Sequence, residues 1–118
     1  MTPDDFRRVA LSLPETVESK HFDVPDFRVR GKIVGTLGPP ASDRGAVKLT
    51  PAQQEMMCEA EPAMFVPVPS AWGAKGWTHV LLATIDEPSL RSALVAAWRN
   101  VAPKRLVAAH PDPLEPAA

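Results

Sequence analysis

Seven basic side chains are spaced along this chain so that they could follow a phosphate backbone: Arg28, Arg30, Lys32, Lys48, Lys75, Lys104 and Arg105. Residues 28–48 hold Arg28, Arg30, Lys32, Arg44 and Lys48 against Asp43, a local charge of +4 in a chain whose formal net charge is −1. A cation that meets a phosphate releases condensed counterions, so each contact adds affinity without reading sequence. Five to seven such contacts would give log affinity a slope of roughly −4 to −6 against log salt. No helical stretch presents Asn, Gln or Arg at the spacing that reads base edges in a groove. The same side chains can instead form a solvated sheet face that blunts edge pairing.

A second constellation is Trp72-Gly73-Ala74-Lys75-Gly76-Trp77. Two indoles bracket two glycines, so an indole could offer a stacking surface where backbone and ligand approach closely. With His79 two positions on, these residues outline a pocket for a small ligand or a protein partner. The structural reading differs: Trp77 begins a strand and caps the core, and Gly73 and Gly76 supply positive φ in a tight turn. Trp72 fits either role.

The remaining candidates for chemistry are sparse. His21 and His79 would meet only if their strands pair, with Asp23 near His21, and no third ligand has a metal-site spacing. His79 therefore reads as a satisfied core or edge histidine. Cys58 stands among Glu55, Glu59 and Glu61, whose charge raises a thiol pKa, and no serine has the strand–turn–helix setting of an activated nucleophile. Neither metal nor cofactor is expected, and the chain reads as non-enzymatic.

Composition agrees with a small globular domain. At 118 residues there is length for one core, and the hydrophobic and charged fractions of 45% and 23% are ordinary. No apolar run approaches the roughly 20 residues that span a bilayer. The start, Met-Thr-Pro-Asp-Asp, is acidic where a signal peptide is basic. A single cysteine forms no internal disulfide. A cytoplasmic monomer is the expectation.

These side chains need elements to carry them. Thr2, Pro3, Asp4 and Asp5 open a helix whose buried stripe is Phe6, Val9, Ala10 and Leu13, and Pro14 ends it. Phe27 and Val29 alternate with Arg28 and Arg30, which puts both arginines on the opposite face of a strand. After a turn or bulge at Gly31, residues 32–37 form a second strand with Ile33, Gly35 and Leu37 on one face. Residues 38–45 read as a loop, and Ala46–Leu49 as a short strand with Lys48 outward. Thr50 and Gln53 have capping-box spacing around Pro51, which predicts a helix from Pro51 to about Ala60. Pro62, Pro67 and Pro69 keep the next stretch extended or looped. Trp77–Thr84 reads as the strongest strand, and Pro88 opens the longest helix, with Leu90, Ala93, Leu94, Ala97, Trp98 and Val101 as its stripe. Pro103 interrupts this helix or starts a short extra one carrying Lys104 and Arg105. Residues 1–107 make one domain, and 108–118 read as a disordered tail. Short links between strands favour an antiparallel sheet, an α/β (α+β) two-layer sandwich with helices on one face.

Four segments occur in a recognisable order: Ala10-Leu11-Ser12-Leu13-Pro14-Glu15, Phe27-Arg28-Val29-Arg30-Gly31-Lys32, Trp72-Gly73 to Gly76-Trp77, and Val101-Ala102-Pro103-Lys104-Arg105-Leu106. Together they resemble the MmcQ/YjbR family, from about Phe6 to Leu106. The resemblance implies a fold similar to the frataxin-like (CyaY-like) arrangement, with helices against one face of an antiparallel sheet. It also implies DNA binding, as such proteins are usually described. With the +4 segment at residues 28–48 and no base-reading helix, the expected partner is double-stranded DNA, bound without strong sequence specificity. More distant members carry a Lys-rich run before the central aromatic strand, whereas only Lys75 precedes Gly76-Trp77 here. Iron binding would need a carboxylate ridge on the first helix, but Asp4 and Asp5 are followed by Arg7 and Arg8, whose charge opposes a cation. The functional expectation is thus a non-enzymatic DNA-binding domain, and the alternative is a ligand or protein module at Trp72, Trp77 and His79.

Overall fold

A computed structural model describes residues 1–38 and 42–114. The elements follow as α1 (Pro3–Leu11), β1 (Thr16–His21), β2 (Val24–Val29), β3 (Lys32–Leu37), β4 (Arg44–Lys48), α2 (Pro51–Ala60), β5 (Phe65–Pro67), α3 (Ala71–Ala74), β6 (Trp77–Leu81), α4 (Glu87–Val101) and α5 (Lys104–Ala109). The strands form one sheet in the order β1-β2-β3-β4-β6-β5, and each neighbouring pair is antiparallel.

Local chemistry sets the element ends. The Thr2 hydroxyl accepts from the Asp5 N–H at 3.1 Å, and the Asp5 carboxylate accepts from the Thr2 N–H at 2.7 Å. Thr50 and Gln53 repeat this reciprocal cap on α2, so that helix runs over the predicted residues. Asp86 caps α4 by accepting from the Ser89 N–H at 2.8 Å. The β1–β2 and β2–β3 links are two-residue turns with paired positive φ, at Phe22-Asp23 (49° and 63°) and Arg30-Gly31 (51° and 82°). Such turns match the twist of the strands they join.

α1 and α4 pack on one face of the sheet and bury the core between. The Phe6 ring lies over Gly45, where an added Cβ would come within 2.9 Å of it, and its centroid is 5.7 Å from that of Phe27. Trp98 of α4 is fully buried, and its indole N–H donates to the Pro14 carbonyl at 3.0 Å. That bond ties the longest helix to the segment that leaves α1.

Three expectations change. β1 is an additional edge strand with an exposed Val17, so it carries little of the apolar alternation that marks a strand. Arg30 is the first residue of the β2–β3 turn, not a strand residue, and so does not share a face with Arg28. In β3 the pairing moves from Phe27↔Gly35 to Arg28↔Ile33, which leaves Val34 as an extra residue. This bulge sends Val34 inward with Gly35 and Leu37 and puts Ile33 on the opposite face, contrary to simple alternation.

Boundaries also move. β4 begins at Arg44, inside the expected loop, and residues 39–41 lie outside the described residues. β6 ends at Leu81 rather than Thr84. Of the expected tail, residues 108 and 109 complete α5, Pro113 is buried, and Arg99 donates to the Pro111 carbonyl at 2.7 Å. Residues 115–118 lie outside the described residues.

Candidate functional site

The register fixes a row of side chains on the sheet face opposite α1 and α4. Asp26 is paired with Thr36, Thr36 with Ala46, Ala46 with His79, and His79 with Val66. Neighbouring strands stand about 4.8 Å apart, so the row crosses five strands in steps of that size. Ala46 is its smallest member. The step down between Thr36 and His79 becomes the floor of a cleft of about 290 Å³, walled by Ile33, Trp77, Val68 and Trp72. The β3 bulge contributes Ile33, and α3 contributes Trp72.

α3 is a single helical turn held by specific contacts. The Ser70 hydroxyl accepts from the Trp72 N–H at 3.1 Å. The Gly73 backbone passes so near Val68 that a Cβ would stand 1.8 Å from its carbonyl oxygen. Gln54 of α2 donates to the carbonyls of Gly73 and Trp77, at 3.0 and 2.9 Å. Gly76 has φ +106°, and its carbonyl accepts from the Leu49 N–H and the Thr78 hydroxyl. Gly76 thus needs its positive φ as expected, whereas Gly73 is helical and is needed for close approach.

Trp77 is not a core residue. It stands half-buried in the cleft wall, while its strand neighbours Thr78 and Val80 point into the core. Trp72 is 60% exposed, an unusual state for so large an apolar side chain. His79 also lies on the cleft side, and its buried Nδ1 has no hydrogen-bond partner among the described residues, unlike the satisfied histidine expected. Burial lowers the His79 pKa below the usual histidine value. The Gly45 backbone opposes that shift, and Arg44 adds to it by repulsion. β1 and β6 are separated by β2, β3 and β4, so the His21 and His79 strands do not pair. Burial raises the Cys58 thiol, and not the neighbouring glutamates. Among the described residues no three His, Cys, Asp or Glu side chains come together as a metal site, and no helix is long and apolar enough to cross a membrane.

The seven basic candidates separate into two groups. Arg28 is held by Asp26, with Nε to Oδ1 at 2.8 Å and the second guanidinium nitrogen to Oδ2 at 2.9 Å, and Asp26 is fully buried. Arg30 makes the same fork to Glu15, at 2.6 and 3.1 Å. The Arg30 guanidinium holds the Glu15 carboxyl below the usual carboxylate range. The other five, Lys32, Lys48, Lys75, Lys104 and Arg105, have no ion-pair partner among the described residues. The antiparallel order brings the start of β3, the end of β4 and the start of β6 to one end of the sheet. The end of α4 joins them there, because the Asn100 amide donates to the Lys48 carbonyl at 3.1 Å. Lys48 reaches across to donate to the Lys75 carbonyl at 2.6 Å, and its Nζ lies 5.9 Å from the Trp77 ring centroid. The Lys75 Nζ lies 5.1 Å from that of Trp72. Both indoles that wall the cleft therefore carry an ammonium at cation–π distance.

A family model for YjbR matches residues 11–100. The chain belongs to the YjbR family. Its fold is shared by the crystal structure of protein DR2400 of Deinococcus radiodurans, which has a DUF419 domain: the TM-score is 0.74 at 22% identity, over 99% of this chain and 93% of that one. No curated protein matches it. The resemblance in sequence and the likeness in structure thus agree on a YjbR-like α+β domain, a six-stranded antiparallel sheet with five helices. Sequence reasoning had named Trp72, Trp77 and His79 but not the other cleft residues of this YjbR domain. Thr36, Ala46 and Val68 are ordinary in type. Ile33 was placed on the wrong face because a bulge has no composition of its own here.

Proposed function

We propose that this YjbR domain is a non-enzymatic binding module whose site is the outer-face cleft, and that the cleft takes the planar ring of a small ligand. The observation that carries the reading is the cleft itself: a concave apolar surface between two indoles, one of them mostly exposed, above a floor made by Ala46. Ligand sites are concave and mainly apolar, with a few polar groups for orientation, and one to two rings suit this volume. Flat indole faces favour a flat partner.

2-Naphthamide, a neutral two-ring probe, tests this. Titrated against the labelled protein, it is expected to shift the indole N–H signals of Trp72 and Trp77. Trp98, whose indole is buried and bonded to Pro14, is expected to stay in place. Ala46→Leu fills the floor from outside the core, so it should abolish those shifts while changing stability by less than about 1 kcal/mol. Shifts that persist in Ala46→Leu would remove the cleft from consideration.

A second reading is favoured by a separate observation. Five cations have no ion-pair partner among the described residues, and three of them, Lys32, Lys48 and Lys75, lie at one end of the sheet, which supports weak duplex DNA binding without sequence preference. Arg28 and Arg30 contribute less than expected, because each is neutralised by a carboxylate. Five contacts give an expected slope of roughly −4 to −5 in log affinity against log salt. Anisotropy of a labelled duplex between low and physiological salt measures it, and a flat titration would exclude this reading.

A further inference from the structure

The lining of the cleft holds no carboxylate, and its rim is cationic. Lys48 and Lys75 ride on the two indoles, while Asp26, whose pairing partner Thr36 lines the cleft, is bound to Arg28. Lys48 is fixed by its bond to the Lys75 carbonyl, so one ammonium is held in place before any ligand arrives. Pre-set positioning of this kind reduces the entropy that binding must overcome. Arg44 pairs with Leu81, two residues along β6 from His79, and is itself held by Asp43, with Nε to Oδ1 at 3.4 Å, so the positive charge of the rim rests on the two lysines. A planar body in the cleft therefore meets positive charge at its edge and no facing negative charge among the lining residues.

We propose that the ligand of the cleft is a small planar aromatic acid, its ring against Trp72 and Trp77 above Ala46 and its anionic group at the Lys48 and Lys75 ammoniums. This rests on the cleft being the binding site. A neutral ring would use only the apolar walls. A cationic ring would be repelled by both ammoniums. A carboxylate, sulfonate or phosphate on the ring edge gains a charge-assisted contact, at a rim where each pair adds a modest amount in partial exposure.

The test compares 2-naphthoate with 2-naphthamide, which share shape and ring and differ in charge. The wild-type chain is titrated with each, following the indole N–H signals of Trp72 and Trp77 with Trp98 as the internal control for folding. Naphthoate is expected to bind about five- to tenfold more tightly, the size of two partly exposed ion pairs. Lys48→Gln with Lys75→Gln should bring the two affinities within about twofold of each other. Lys75→Gln alone, which leaves the Lys48 bond to the backbone carbonyl intact, should lose part of the preference. Equal affinities in the wild type would overturn the acid preference and leave the cleft standing as a site. Absence of shifts at Trp72 and Trp77 with both probes would overturn both readings. A preference unchanged in the lysine variants would also overturn the assignment, because the charge would then be read elsewhere.

Discussion

Trp98→Ala is expected to lower the unfolding free energy by about 4 kcal/mol, the largest effect of any single core truncation in this chain. Trp98 is the largest fully buried side chain. It sits where α4 meets the segment that follows α1, so its removal leaves a cavity between two helices and the sheet. The indole N–H has a separate role, since it supplies the donor for the Pro14 carbonyl. Trp98→Phe keeps most of the packing and removes that donor, for an expected loss of about 1–2 kcal/mol. Denaturant melts of the two variants separate packing from hydrogen bonding. Similar losses from both would show that the bond to Pro14, and not the buried volume, dominates.

Gly76→Ala is the second large effect, expected at about 3 kcal/mol or more, and it reaches the cleft as well as the fold. Two penalties combine here. The residue has φ +106°, a conformation that strains an L side chain by about 1–2 kcal/mol. A Cβ would also stand 1.9 Å from the Leu49 carbonyl oxygen, so backbone must move. Gly31→Ala is the matched control. It has φ +82° and nothing within 4 Å of an added Cβ, so only the strain applies and about 1 kcal/mol is expected. Because Gly76 lies between Lys75 and Trp77, its displacement should also move the Trp77 indole signal. Equal losses at Gly31 and Gly76 would show that the approach to Leu49 relaxes freely.

Much of the frame was legible because short-range chemistry wrote it. Thr2, Thr50 and Pro88 mark helix starts through caps and φ preferences that act within three residues. The α4 stripe is legible because a long helix repeats its periodicity often enough to stand out. β1 was not legible as a strand, since an edge strand open to solvent needs no alternating apolar residues. The site was half legible. Trp72, Trp77 and His79 stand out by type, but the side of the sheet they occupy depends on long-range pairing that no local pattern encodes. Trp77 looked like core because large aromatics usually are. The basic residues were legible as a set, but not their pairing: Asp26 neutralises Arg28 from two residues away and Glu15 neutralises Arg30 from fifteen away. Only the fold brings the second pair together.

The extra residue in β3 works as a parity switch. Strict alternation would put Ile33, Gly35 and Leu37 on one face, but Val34 and Gly35 both face the core, so the faces exchange at that point. Ile33 and Thr36 can therefore both line the cleft although three positions separate them, while Val34 and Leu37 both serve the core. Without Val34, Arg28↔Ile33 and Phe27↔Gly35 would become consecutive pairs of a regular ladder, so Ile33 would keep its place in the cleft wall and the core would lose a side chain. The extra residue thus gives the core one more apolar group from β3 without taking one from the site.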